Sequence, residues 1–211
     1  MNKFLTHIEL SFNKELILKE MGTITFHPFN DLGPGQTGVS RIPKDNWFHS
    51  PSTWVQGHVT NMDKTPEIQR VYDQVKTLTK SNDIRPRFYR QLANKELLFH
   101  QDKGTLCAIN IVLSEEYGPI IFEGVDEIYY KCALINTQPR HGVKAHPEER
   151  IILKYSIFDK SYEEVYDSLS ILEAHDRYGA TVPYICSHRM LRVFKYLLRN
   201  SLLHHTLLTP F

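Results

Sequence analysis

The chain has 211 residues, of which 41% are hydrophobic and 23% charged, with a formal net charge of +1. That length suits one domain, 1–211, with a sizeable core, and the near-neutral balance argues against a dominant polyanion-binding role while leaving room for a local basic patch. Cys107, Cys132 and Cys186 are odd in number and form no CxxC pair, so neither a disulfide framework nor a zinc site is expected, and the cytoplasm follows as the compartment.

The N-terminus lacks the apolar core of a signal peptide, and no stretch approaches 18 uninterrupted apolar residues, so no membrane span is predicted. Residues 4–12 alternate loosely through Phe4, Ile8, Leu10 and Phe12. Residues 13–21 read as a helix capped by Asn13 and stopped by Gly22, and residues 23–26 as a short strand. From His27 to Asp63 the text changes to scattered glycines (Gly33, Gly35, Gly38, Gly57) with few periodic apolar residues. A segment of that length predicts a substrate-enclosing lid whose Trp47, His49, Trp54 and His58 face the ligand, or equally a loop pinned to the core by its two tryptophans.

Thr65-Pro66-Glu67 opens a helix with Thr65 as its cap, and Ile68, Val71, Tyr72, Val75 and Leu78 form its apolar stripe up to Ser81-Asn82-Asp83. Residues 84–158 then hold many short apolar runs with no helical pattern between them. This predicts antiparallel sheets in a mainly β protein with flanking helices, a double-stranded β-helix (jelly roll, cupin-like) with its barrel core at about 85–158. Ser161-x-x-Glu164 is a capping box that opens a helical extension, 160–211, with Val165, Leu169 and Leu172 inward. Within it, residues 184–200 carry Arg189, Arg192, Lys195 and Arg199 opposite Leu191, Phe194 and Leu198. The solvated side of an amphipathic helix is the favoured reading of that stripe, ahead of a face for nucleic acid or an acidic partner.

The chemistry-bearing stretch is Phe99-His100-Gln101-Asp102-Lys103. Residues two apart in a strand share a face, so His100 and Asp102 can reach one metal ion together. Two imidazoles and a carboxylate on one side of an octahedron leave three open positions, the arrangement of non-haem Fe(II) oxygenases. His141 and His146 are candidates for the second imidazole. Beyond them, Arg150, Ile152, Lys154 and Ser156 alternate with Ile151, Leu153, Tyr155 and Ile157, which turns Arg150 into a polar barrel interior where it can take a carboxylate. Asn110 and Tyr89 are inward candidates from neighbouring strands.

His-x-Asp, a distal His and an Arg on the next strand, in that order over roughly residues 85–159, resemble the 2-oxoglutarate/Fe(II)-dependent oxygenase superfamily. There the Arg commonly follows the distal His by about nine to eleven residues, which selects His141, nine before Arg150, with His146 as the fallback. The resemblance implies Fe(II) held by His100, Asp102 and His141. It implies 2-oxoglutarate bound through Arg150 with help from Asn110 and Tyr89, and ascorbate as a candidate reductant. The expected activity is hydroxylation of an amino-acid or peptidyl side chain with release of succinate and CO2, as in prolyl or aspartyl/asparaginyl hydroxylase-like members. The expected partner is a small-molecule or peptide substrate, with neither nucleic acid nor membrane. Many members place a Ser two residues after the Arg, and this chain has Ile152 there, so the shared carboxylate contact falls to another hydroxyl, with Tyr89 as the candidate. A non-catalytic cupin-like binding protein and a nucleic-acid demethylase of the same superfamily are the alternatives.

Overall fold

The computed structural model describes residues 3–28 and 54–169. Among them a seven-stranded antiparallel sheet runs in the order β1 (Leu5–His7), β8 (Cys132–Asn136), β6 (Cys107–Val112), β10 (Arg150–Ile157), β4 (Ile84–Gln91), β3 (Trp54–His58), β2 (Phe26–Pro28). A second sheet holds β5 (Leu97–His100), β9 (His141–Val143) and β7 (Ile120–Phe122). The two sheets make the expected jelly roll, and the helices lie on the outer face of the larger one.

Strand alternation sorts the side chains. Ile109, Ile111, Leu153, Tyr155, Ile157 and Phe88 turn outward and pack with Ile17 of α1 (Lys14–Met21) and Ile68, Val71 and Val75 of α2 (Pro66–Thr79). Val112, Ala133, Ile135 and Ile152 turn inward against Ile120 and Phe122 of the small sheet. Two clusters on opposite faces of one sheet are what a period of two produces when both faces are covered. Cys107 and Cys132 sit among the outward residues, and burial pushes both thiols up to about 12.

The ends of the helices follow local chemistry, with one change. Asn13 accepts a hydrogen bond from the Leu16 amide, as a cap should. Thr65 does not cap α2. Its hydroxyl bonds to the Asn61 and Met62 carbonyls, while both carboxylate oxygens of Glu20, from the end of α1, accept from the Glu67 and Ile68 amides at 2.8 and 2.9 Å. A carboxylate at the positive end of the α2 dipole is the stronger acceptor there. The capping box is present, with Ser161 and Glu164 exchanging side chain to backbone bonds at the start of the helix over residues 162–169.

The bounds of the loop-rich segment 27–63 need correcting. His27 belongs to β2 and residues 54–58 form β3, so the sheet extends into the proposed loop from both sides, and β2 falls at Phe26–Pro28 rather than at 23–26. Gly57 disguised β3 in the sequence, yet a Cβ there would come within 2.9 Å of the Ile24 side chain, so any larger residue would force the Ile24 and Phe26 side chains to shift. Residues 29–53, with Trp47 and His49, lie outside the described residues, as do Leu172 and the basic stripe of 184–200. Among the described residues no helix is long and apolar enough to cross a membrane.

Candidate metal centre

β5 delivers His100 at its last position, and β9 delivers His141 at its first, the two being directly paired across the small sheet. Their rings lie 4.4 Å apart at the centroids. Asp102 follows just past β5, where its amide donates to the Thr137 carbonyl at 3.2 Å and so ties the turn to the end of β8. The ligand atoms of His100, Asp102 and His141 all lie within 4.8 Å of one another, close enough to hold a metal ion.

The two imidazoles are fixed in the same way. The Nδ1 of His100 meets the Leu98 carbonyl, and the Nδ1 of His141 meets the Pro139 carbonyl, each at 2.9 Å. A carbonyl only accepts, so each Nδ1 carries the proton and each Nε2 presents a lone pair, the tautomer a metal requires. Both Nε2 atoms face the Asp102 carboxylate, at 3.5 Å from His100 and 3.9 Å from His141. Burial pushes the His141 imidazole down to about 4 against the opposing pull of Asp102, which keeps the ring neutral. For Asp102, burial favours the protonated form. The attraction of the Lys154 ammonium and its hydrogen bond outweigh that, and hold the carboxyl well below the usual range. A neutral His141 and an ionised Asp102 are the states in which such groups bind a metal, so the donor set fits a divalent ion at neutral pH.

His146 stands apart. It is partly exposed, and its Nδ1 accepts from the Glu148 amide in the turn before β10.

Arg150 is almost fully buried, at 2% exposure, on the inward face of β10. Its Nη2 donates to the Tyr130 hydroxyl at 2.6 Å, and its guanidinium lies over the Tyr117 and Tyr130 rings. Asn110 donates to the same hydroxyl at 3.1 Å, and the Tyr117 hydroxyl donates to the Tyr130 carbonyl at 2.7 Å. No ion pair among the described residues includes Arg150, and its Nε and the Asn110 Oδ1 are buried without partners. Trp54, Gln91 and Arg150 are successive neighbours across β3, β4 and β10, and Trp54 Nε1 and Gln91 Oε1 are unpartnered too. Arg150 Nε and Trp54 Nε1 are donors that an anion could use, whereas the two amide oxygens would need a donor. Tyr89 lies beside it, edge-on to Trp54 at 5.9 Å and with the Lys154 ammonium 5.8 Å from its ring centre.

Several residues here carried no signal of their own in the sequence. Tyr130, whose hydroxyl accepts from both Arg150 and Asn110, is one of eleven tyrosines. Lys154 was placed on the inward face by alternation, but its 2.5 Å contact with Asp102 Oδ2 joins residues 52 apart. Gly142 lets β9 close on β5, since a Cβ there would stand 2.5 Å from the Leu97 carbonyl oxygen.

No family model matches the chain, and no curated protein matches it. Solved structures do. A prolyl hydroxylase from Trichoplax adhaerens, in complex with a hypoxia inducible factor oxygen degradation domain peptide fragment, is similar over 79% of this chain and 85% of its own, with a TM-score of 0.50 and 12% identity. A viral collagen prolyl hydroxylase from Paramecium Bursaria Chlorella virus-1, in its 2-oxoglutarate complex, covers 74% and 96% at a TM-score of 0.46 and 9% identity. An oxidoreductase of the 2-oxoglutarate/Fe(II) oxygenase family from Burkholderia pseudomallei covers 69% and 78% at 0.45 and 13%. At such identities the likeness is one of fold, and that fold is the jelly roll found in 2-oxoglutarate/Fe(II) oxygenases.

Proposed function

We propose that the protein is an Fe(II)- and 2-oxoglutarate-dependent oxygenase that hydroxylates a small molecule or a peptidyl side chain. The observation that carries this reading is Arg150, a buried cation with no acidic partner among the described residues, on the same inward face as the Lys154 that touches the candidate metal ligands. A barrel that only held a metal would have no use for a buried guanidinium, whereas a dicarboxylic co-substrate would neutralise it.

In this reading His100 and His141 bind the metal through Nε2 and Asp102 through Oδ1, while Lys154 holds Asp102 Oδ2 and fixes the carboxylate's orientation. When bound, the iron and co-substrate would supply oxidation by dioxygen, one oxygen atom going to the succinate formed as 2-oxoglutarate loses CO2 and the other into a substrate C–H bond. Arg150 takes the far carboxylate of 2-oxoglutarate. With two donors already on the Tyr130 oxygen, its own O–H is left to point at that carboxylate, and it replaces the hydroxyl missing at Ile152. Trp54 Nε1, a buried unpartnered donor two strands away, is a further candidate for a bond to the co-substrate. Arg150 and Lys154 lie four residues apart on one face, about 13 Å along the strand.

The test is succinate formation from 2-oxoglutarate with Fe(II) and ascorbate, without added substrate. Slow turnover is expected in the native protein and none in His100→Ala. Tyr130→Phe should retain metal binding but need about ten-fold more 2-oxoglutarate for half its rate, the worth of one charge-assisted hydrogen bond. Folded, iron-loaded protein that neither binds nor turns over 2-oxoglutarate would leave the reading without support.

A further inference from the structure

The metal ligands of the small sheet stand over one particular row of the large one, because Asp102 touches Lys154. Followed across the sheet, that row reads His58 on β3, Arg87 on β4, Lys154 on β10 and Asn110 on β6, each the register partner of the next. Neighbouring strands are about 4.8 Å apart, so Arg87 is one strand, and His58 two strands, to the side of Lys154. His27 on β2 adds to them. It pairs with Gln56, two residues before His58 on the same face, and its charge acts on the His58 ring.

Lys154 has its counter-charge in Asp102. Arg87, His58 and His27 have none, since no ion pair among the described residues includes them. The Nε2 of His58 is buried without a hydrogen-bond partner. Burial, then Arg87, then His27 hold the His58 imidazole below its ordinary value, so three groups that repel one another as cations share the face of the sheet that carries Lys154. Such a grouping, with no acidic partner among the described residues, stores an electrostatic cost that a ligand anion would relieve.

Asn110, at one end of the row, shares the Tyr130 hydroxyl with Arg150, but the flank of Arg87, His58 and His27 is separate from Arg150. Arg150 lies at the other end of the β10 face and is almost fully buried, whereas Arg87, His58 and His27 are all partly open to solvent. The closed end suits a co-substrate held at every turnover, and the open flank suits a substrate that enters afterwards.

We infer that the flank formed by Arg87, His58 and His27 is a substrate subsite for an anionic group, a carboxylate or a phosphate, on the molecule to be oxidised. The inference rests on the oxygenase reading for the word substrate, but the anion site itself does not depend on turnover. An arginine fork takes either anion through two parallel N–H bonds, and the imidazoles add donors from the next strands.

The experiment follows the histidine ring signals of the full chain, zinc-loaded, by NMR during titration with three probes. These are the N-acetyl α-amides of glutamate and of glutamine, which differ by one charge, and inorganic phosphate. The glutamate derivative, phosphate or both should shift the His58 and His27 signals, and the anion that binds more tightly identifies the group the substrate carries. The glutamine derivative should bind about ten-fold more weakly, the cost of losing a charge-assisted pair. Arg87→Gln should abolish the shift, and Arg150→Gln should retain it. His58→Gln, read on the His27 signals, serves if Arg87→Gln does not fold. The proposal is overturned by an equal response to glutamine, by no response to either anion, by a response surviving in both Arg87→Gln and His58→Gln, or by one lost in folded Arg150→Gln. Because no step requires oxidation, absence of 2-oxoglutarate turnover would overturn the oxygenase reading and leave this result standing.

Discussion

Asp102 divides its work between two oxygens. Oδ1 faces the two imidazoles at 3.5 and 3.9 Å, and Oδ2 is engaged by the Lys154 ammonium at 2.5 Å. Each charge is costly to bury alone. Burial lowers the Lys154 affinity for its proton, but the attraction of Asp102 raises it further, and the same attraction keeps the carboxyl ionised. Lys154 is thus a positioning residue that presents a charged Oδ1 to a cation. Lys154→Met keeps the length of the side chain and removes the charge, so burial should then push the Asp102 carboxyl up. Zinc affinity, measured by calorimetry against a competing chelator at pH 7, should fall by about 10- to 100-fold, the usual effect of removing a partner that orients a ligand. Affinity equal to that of the native chain would mean that Asp102 needs no such support.

At the scale of elements, the site depends on two short strands brought very close. β5 and β9 place His100 opposite His141, and Gly142 makes that pairing possible, since any Cβ would meet the Leu97 carbonyl oxygen at 2.5 Å and the Leu98 carbonyl carbon at 3.3 Å. These are backbone atoms and cannot rotate away. Gly142→Ala should therefore part the strands and separate the imidazoles. We expect at least a ten-fold loss of zinc affinity together with weaker amide-exchange protection in β5 and β9, while β6 and β10 keep theirs. Retained protection in β5 would show that the strands tolerate the methyl group. The limits of sequence reading show in the same elements. β6 and β10 were legible because both faces are covered and alternation separates Ile109, Ile111, Leu153 and Tyr155 from Asn110, Ile152 and Lys154. His100, Asp102 and His141 were legible because their types and order are unusual. β3 was not, since Gly57 interrupts its apolar text. The Glu20 cap on α2 was not either, because the contact crosses 47 residues and no local rule describes it.

The whole molecule carries this chemistry as a dependence on pH. His141 has an ordinary value of 6.5 and is pushed down to about 4 in the fold. Between those values the unfolded chain takes up a proton that the folded chain refuses, so stability is full above about 6.5 and falls as the pH drops. Over the 1.5 units from pH 6.5 to pH 5, at 1.36 kcal/mol per unit, the loss is roughly 2 kcal/mol. His58, also lowered by burial and by Arg87 and His27, acts in the same sense and adds to it. Asp102 does not contribute in this window. Its carboxyl is lowered, so its contribution is present above the ordinary carboxylate range and is lost only as the pH falls through and below that range. Urea unfolding of the metal-free chain at pH 7 and pH 5 should therefore show a loss of at least roughly 2 kcal/mol. In His141→Phe, where the new ring meets the Phe122 and His100 rings that now surround the imidazole at 5.9 and 4.4 Å, the loss should be smaller by about that amount. An equal loss in both would move the acid sensitivity elsewhere in the molecule. A smaller loss in the variant would show that the pocket which keeps His141 neutral for a metal also makes the fold without metal sensitive to acid.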